Sequence, residues 1–232
     1  MVVKIKIYAT ADIHGAQHRV NEALLQIRKY KPDVIVIAGD ITQFGPADVA
    51  INILNQFPTP IYTLPGNIDT ADVWDGINQT EAVNLHKKQT QVDGLTFTGI
   101  NGVDDAETEL FLSDQTLQSY LKHVDVLITH VPPYGFQDTV FLGKHAGSKP
   151  LRKIVDTYHP LLVISGHIHE RPGYTTHQNT TIVNCSMGKR GKGAILEINE
   201  SVKVTMLDWI INKKRILTNR KQYVNDSIYN IK

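Results

Sequence analysis

Five apolar runs in this 232-residue chain end, in order, in Asp12 and His14, in Asp40, in Asn67, in His130, and in His167 and His169. Imidazole, carboxylate and side-chain amide are the donors divalent cations take where thiolate is absent. The stretch PLLVISGHIHE, from Pro160 to Glu170, shows the pattern best. Leu161 to Ile164 reads as a strand buried on both faces, and Gly166-His167-Ile168-His169 follows it. If the chain stays extended there, residues i and i+2 face one side, and both imidazoles reach one spot. Asp12 and His14 share that spacing. A lone HxH is more often a cap and a solvated ring. Repetition over five strand ends outweighs that reading here.

The elements that must position these groups follow from periodicity. Val2 to Ala11 alternates early and predicts a strand. Val20, Leu24, Ile27 and Tyr30 sit at helical spacing over residues 17–30, with Pro32 beyond. Asp33 to Ala38 is a second buried strand. Pro46 opens a helix bearing Val49, Ile53 and Phe57, and Ile61 to Leu64 is a third strand. This βαβαβ rhythm predicts parallel strands with crossover helices. Residues 70–93 read as a short helix and polar loop, and 95–103 as strand. Ser113 reads as the N-cap of a helix carrying Leu117, Tyr120 and Leu121. Asp125 to Thr129 predicts a buried strand before His130. Ser148 caps a helix with Pro150 in its first turn and Leu151, Ile154, Val155 and Tyr158 inward. Thr181 to Asn184, Gly193 to Ile198 and Val202 to Leu207 predict later strands.

Parallel strands bring their carboxyl ends to one edge of an open α/β sheet, where ligands gather. All seven side chains would then meet. Seven such groups buried without counter-charge would be very costly. Divalent cations remove that cost, and two ions need about this many protein ligands.

Composition narrows the class. Lys plus Arg is 24 and Asp plus Glu is 23, so the net charge is +1. That gives no global attraction to nucleic acid or acidic membrane. Cys185 is the single cysteine, so there is no internal disulfide, and a metal site must use His, Asp, Asn or Glu. The segment MVVKIKIYATADIHG has no signal-peptide core, and no run reaches the ~18–20 apolar residues of a membrane helix. We expect one cytoplasmic domain over residues 1–232. Residues 208–232 hold Lys213-Lys214-Arg215 and Arg220-Lys221. A packed terminal element with solvated lysines is favoured there over a nucleic-acid arm or a dimer contact.

The blocks Asp12-Ile13-His14, Gly39-Asp40, Gly66-Asn67-Ile68-Asp69, His130 and Gly166-His167-Ile168-His169 resemble, in order, the motif set of the calcineurin-like metallophosphoesterases. His130 to Gly135 and His145 to Ser148 also look like its small bacterial and archaeal members. The resemblance implies an α/β fold, a sandwich of two mixed sheets flanked by helices. It implies a two-metal centre in which Asp40 bridges, Asp12, His14 and His169 hold one ion, and Asn67, His130 and His167 hold the other. It implies hydrolysis of phosphate esters by hydroxide held between the ions. The N/O donor set suits Mn, Fe, Zn or Ni. A phosphate-ester small molecule or a nucleotide is the expected partner.

One departure matters. The family's third block is commonly G-N-H-[DE], with a histidine that gives a proton to the leaving group. Ile68 stands there and cannot donate. General acid help is worth roughly 10²–10⁴-fold, so phosphodiesters or activated esters are favoured over alkyl monoesters. Asp69, which would orient that histidine, is open to a second reading, as only a cap of the next helix. His145, in the polar loop after His130, is a candidate replacement donor, though the solvated reading is favoured. His18, His86, His123, His159 and His177 are read as surface residues. Two alternatives share this fold: a protein-binding scaffold, as in a retromer subunit, and a DNA nuclease. Intact donors oppose the first. Near-neutral charge, Ile68 and the absence of DNA-capping domains oppose the second. The loop at Phe44-Gly45 lacks the arginine that phosphoprotein phosphatases carry after G-D.

Overall fold

The computed structural model describes residues 4–58, 60–188 and 191–208. The expectation for the basic C-terminal segment therefore falls, beyond Asp208, outside the described residues. In chain order the elements are β1 (Ile5–Thr10), α1 (Gln17–Tyr30), β2 (Val34–Ala38), α2 (Ala47–Leu54), β3 (Ile61–Leu64), α3 (Ala71–Asn78), β4 (Val83–Asn84), β5 (Gln89–Val92) and β6 (Leu95–Gly99). Then come α4 (Asp105–Ser113), α5 (Gln115–Leu121), β7 (Val126–Ile128), α6 (Lys149–Tyr158), β8 (Leu162–Ser165), β9 (Gly173–His177), β10 (Thr180–Asn184), β11 (Gly191–Ile198) and β12 (Val202–Asp208).

The strands form two six-stranded sheets, ordered β12-β11-β1-β2-β3-β4 and β5-β6-β7-β8-β10-β9. β1 to β4 are parallel, and β11 returns antiparallel beside β1, with Ile5 opposite Ile198. β6, β7, β8 and β10 are parallel, with β5 and β9 antiparallel at the edges.

Period-two alternation explains the layering. In β2, Val34, Val36 and Ala38 face the second sheet, where they join Phe97, Val126, Ile128 and Ile164. Ile35 and Ile37 face outward onto Val20, Ala23 and Ile27 of α1 and Ala50 and Ile53 of α2. On the other outer face Leu127, Val163 and Ile182 pack on Phe111, Leu121, Leu151 and Ile154. A strand covered on both faces must be apolar at every position, which is why β2 reads VIVIA. The result is the expected α/β architecture, a helix–sheet–sheet–helix sandwich of two mixed sheets.

Helix ends follow local chemistry. Ser148 caps α6 by accepting from the Leu151 N–H, and α6 stops at His159 in the left-handed region before Pro160. Ser113, expected as an N-cap, instead ends α4. The Asp114 carboxylate caps α5 through the Leu117 N–H, and Asp104 caps α4. The strand expected over 95–103 stops at Gly99, and the chain turns at Gly102 with φ +71°. The loop expected over 70–93 contains the short edge strands β4 and β5.

Candidate metal centre

All seven expected donors gather beyond the carboxyl ends of β1, β2, β3, β7 and β8. They form two groups joined through Asp40. In the first, His14 Nε2 lies 3.2 Å from His169 Nε2, and His169 Nε2 lies 3.3 Å from Asp12 Oδ1. In the second, Asn67 Oδ1 lies 2.8 Å from both His130 Nε2 and His167 Nδ1. Asp40 Oδ2 lies between, 3.9 Å from His14 Nδ1 and 3.4 Å from His130 Nε2. Ligand atoms of Asp12, His14 and His169, and of Asp12, Asp40 and His130, fall within 4.8 Å of one another in each set.

The extended-chain argument for the HxH pair fails in its geometry. Asp12, His14, Asp40 and His167 all have positive φ, from +52° to +67°. The chain turns at each, so His167 and His169 point into different groups rather than one. A non-glycine residue in the left-handed region costs about 1–2 kcal/mol, and such strain persists only where surrounding structure holds it.

That holding structure is visible. The Asp69 carboxylate accepts from the backbone N–H of Ile41 (3.0 Å), Thr42 (2.8 Å) and Gly66 (2.9 Å), and from the Thr42 hydroxyl (3.0 Å). It neither caps α3 nor orients a neighbouring ring; it ties the Asp40 loop to the Asn67 loop. The Ile68 N–H donates to Asp40 Oδ1, and the His167 N–H donates to the Asp12 carboxylate. Gly66 is dictated by closeness, because a Cβ there would stand 2.8 Å from Asp40 Cγ and nearer still to Oδ1.

Electrostatics and tautomers suit cation binding. His130 Nδ1 is 2.9 Å from the Ala38 carbonyl, which can only accept, so Nδ1 carries the proton and Nε2 faces Asn67 and Asp40. Burial of the His130 ring opposes its charge, but the Asp40 carboxylate, then Asp12, outweigh burial and raise its pKa to about 9. Burial, then the nearby His130, lowers His167 to about 4. Burial works to raise Asp12, but the hydrogen bond from His169 and the nearby histidines bring it down to about 2. That bond to Asp12 in turn raises His169. His14 is lowered, chiefly by burial, and its buried Nδ1 has no hydrogen-bond partner. An orphaned imidazole nitrogen facing a carboxylate fits a bound cation.

Three residues escaped the sequence reading. Asp138 is fully buried; its carboxylate accepts from the Gly135 and Gly147 N–H groups and lies 2.7 Å from His145 Nδ1. The Asn184 amide donates to the carbonyls of Ile168 and Gln137, tying the loop of Asp138 to the GHIH turn. His86, expected on the surface, is buried: its Nδ1 accepts from the Asn101 N–H and its ring packs against Trp74. Only the seven-residue spacing of Asp138 and His145 gave any signal for these. His145 itself is 41% exposed.

The fold is a sandwich of two mixed sheets with His, Asp and Asn side chains gathered at its strand ends. Residues 5–171 match the calcineurin-like phosphoesterase family, and the chain belongs to that family. The family hydrolyses phosphate esters with divalent metals. An uncharacterised protein of Methanocaldococcus jannaschii is 31% identical over 202 residues, covering 80% of this chain and 90% of that one. A Thermus thermophilus structure shares the fold at TM-score 0.64 and 16% identity, covering 87% of this chain and 98% of that one. The structure of an archaeal phosphodiesterase does so at TM-score 0.50 and 14% identity, covering 88% and 100%. No helix among the described residues is long and apolar enough to cross a membrane.

Proposed function

We propose that this chain is a phosphodiesterase working with two divalent cations. Asp12, His14 and His169 would hold one, Asn67, His130 and His167 the other, and Asp40 would serve both. One observation carries the reading. His130 Nε2 and His167 Nδ1 both lie 2.8 Å from Asn67 Oδ1, and Asp40 Oδ2 lies 3.4 Å from His130 Nε2. The Asp40 carboxylate draws a positive charge to this meeting point: a proton on His130 in the metal-free chain, and a divalent cation in its place when metal binds. The donor set suits Mn, Fe, Zn or Ni. Bound cations supply Lewis-acid charge to the phosphoryl oxygens and lower the pKa of water toward ~7.

The chain's own groups do the rest. Asp69 holds the Asp40 and Asn67 loops at one spacing, and Ala38 fixes the His130 ring. Ile68 offers no proton at the leaving-group position, which favours diesters and activated esters over alkyl monoesters. His145 is the candidate donor. Asp138 holds its Nδ1, leaving Nε2 for a leaving oxygen, and Asn184 anchors that loop to Ile168, between two of the donors.

The test pairs a phosphomonoester and a phosphodiester of one nitrophenol, with Mn²⁺ and with chelator. Faster diester turnover, lost with chelator and in Asp40→Ala and His167→Ala, is the expected result. Chelator-insensitive turnover, or a folded protein that holds metal yet turns over neither ester, refutes the proposal. His145→Ala should slow a poor leaving group more than nitrophenol; equal slowing removes His145 as donor.

A further inference from the structure

Arg19 is the third residue of α1, which starts just after the turn that carries Asp12 and His14. Side chains on a helix lean toward its N-terminus, and Arg19 does so: its Nη1 donates to the backbone carbonyl of Asp12 at 2.5 Å. The guanidinium therefore stands at the edge of the group formed by Asp12, His14 and His169. Its positive charge reaches both rings of that group, helping to lower His14 and opposing the rise at His169. The main influences on His130 and His167 are other groups. Arg19 thus belongs to the first half of the centre.

This placement is unfavourable in the bare chain. A cation in the first turn of a helix opposes the helix dipole, and the first turn of α1 holds no acidic residue. Glu22, one turn further on, bonds Lys192 and Gln26 instead. Among the described residues no carboxylate pairs with the guanidinium. In the proposed centre the imbalance grows, because two divalent cations outweigh the carboxylates of Asp12 and Asp40 before Arg19 is counted. An anion at that edge removes the imbalance. The guanidinium is also built to hold one. One N–H is spent on the Asp12 carbonyl, which steadies the plane, and the remaining N–H groups keep the planar fork that suits phosphoryl oxygens.

We propose that Arg19 binds a non-bridging phosphoryl oxygen of the substrate from the side of Asp12, His14 and His169. The proposal rests on the two-cation phosphoesterase reading and adds to it an anion-binding residue on α1. A phosphodiester has two non-bridging oxygens, so Arg19 can take one and leave the other to the cations. No bond to Arg19 forms or breaks; it orients the phosphoryl group and offsets its charge.

The test is calorimetric titration of the metal-loaded full chain with inorganic phosphate, beside metal analysis, for wild type, Arg19→Lys and Arg19→Gln. Arg19→Gln should weaken phosphate binding about ten- to a hundredfold, the range for hydrogen bonds to a charged group, with metal content at the wild-type level. Arg19→Lys, which keeps the charge and loses the fork, should fall between. Phosphate affinity in Arg19→Gln within about twofold of wild type overturns the proposal. So does metal content that falls in step with phosphate binding, because Arg19 would then only brace the Asp12 carbonyl. Wild type that holds metal but no phosphate overturns the proposal and leaves the two-cation reading standing. Wild type that takes up no metal overturns both.

Discussion

Replacing Asp69 by Asn keeps the shape of the side chain and changes one oxygen to NH2. The carboxylate now accepts four hydrogen bonds, two per oxygen: Thr42 N–H and hydroxyl on Oδ1, Ile41 and Gly66 N–H on Oδ2. An amide can keep one pair. It turns its own donors toward the other pair, leaving at least one buried N–H without a partner. Each unsatisfied buried donor costs ~1–3 kcal/mol, and bonds to a charged acceptor contribute ~1.5–3 kcal/mol each. The sum for Asp69→Asn is about 2–5 kcal/mol. At roughly 2–4 °C per kcal/mol for a chain of this size, Tm should fall by ~4–20 °C. The loss is directional as well: the Asp40 loop and the Asn67 loop no longer share an anchor, so metal content should drop with stability. The assay is thermal melting of the metal-loaded protein beside metal analysis after gel filtration. A variant within ~0.5 kcal/mol of wild type, with full metal content, would refute the reasoning. Asp69 would then be an ordinary loop carboxylate of the kind whose replacement is nearly neutral.

Gly66→Ala should act on the same loops from the other side: its Cβ pushes Asp40 away by about 1 Å, a misplacement worth about 10²-fold in turnover, and kcat/KM within threefold of wild type would contradict it. His86 sets an acid limit. Its folded pKa is lowered to about 4, chiefly by burial, while the unfolded chain titrates near 6.5, so stability is full above pH 6.5 and is lost as pH falls toward 4. At pH 5 the loss amounts to about 2 kcal/mol. His86→Gln keeps an acceptor for the Asn101 N–H and should remove that loss; urea midpoints of wild type and variant that fall in parallel from pH 7 to pH 5 would rule it out.

The centre was legible for a simple reason. A strand covered on both faces is mostly apolar until it leaves the sandwich, so β1, β2, β3, β7 and β8 are each followed by their first metal-competent side chain. What hid was structure without that contrast. β9, GYTTH, pairs on one side only and alternates between half-buried and exposed, so it lacks an apolar run. β5, QTQV, is a polar edge strand, and α4 buries only Thr108 and Phe111. His86 was misread because its burial comes from Trp74 and Asn101, distant in sequence. The i, i+2 spacing alone did not separate His167 from His169, a split that only the family resemblance implied, because backbone turns at functional residues follow tertiary restraint rather than local preference.

Asp12, His14, Asp40 and Asn67 leave one sheet; His130, His167 and His169 leave the other. His14 and His169 meet across 155 residues of sequence, and β1 waits for β11 at the far end of the described chain to complete its pairing. Contacts this distant close late in folding. A nascent chain that has emerged only through β3 presents three donors, Asp12, His14 and Asp40, and half a cradle. In the proposed centre, ion uptake therefore becomes a clock: it starts when the two sheets dock, and cations held there rivet the seam between the halves of the molecule.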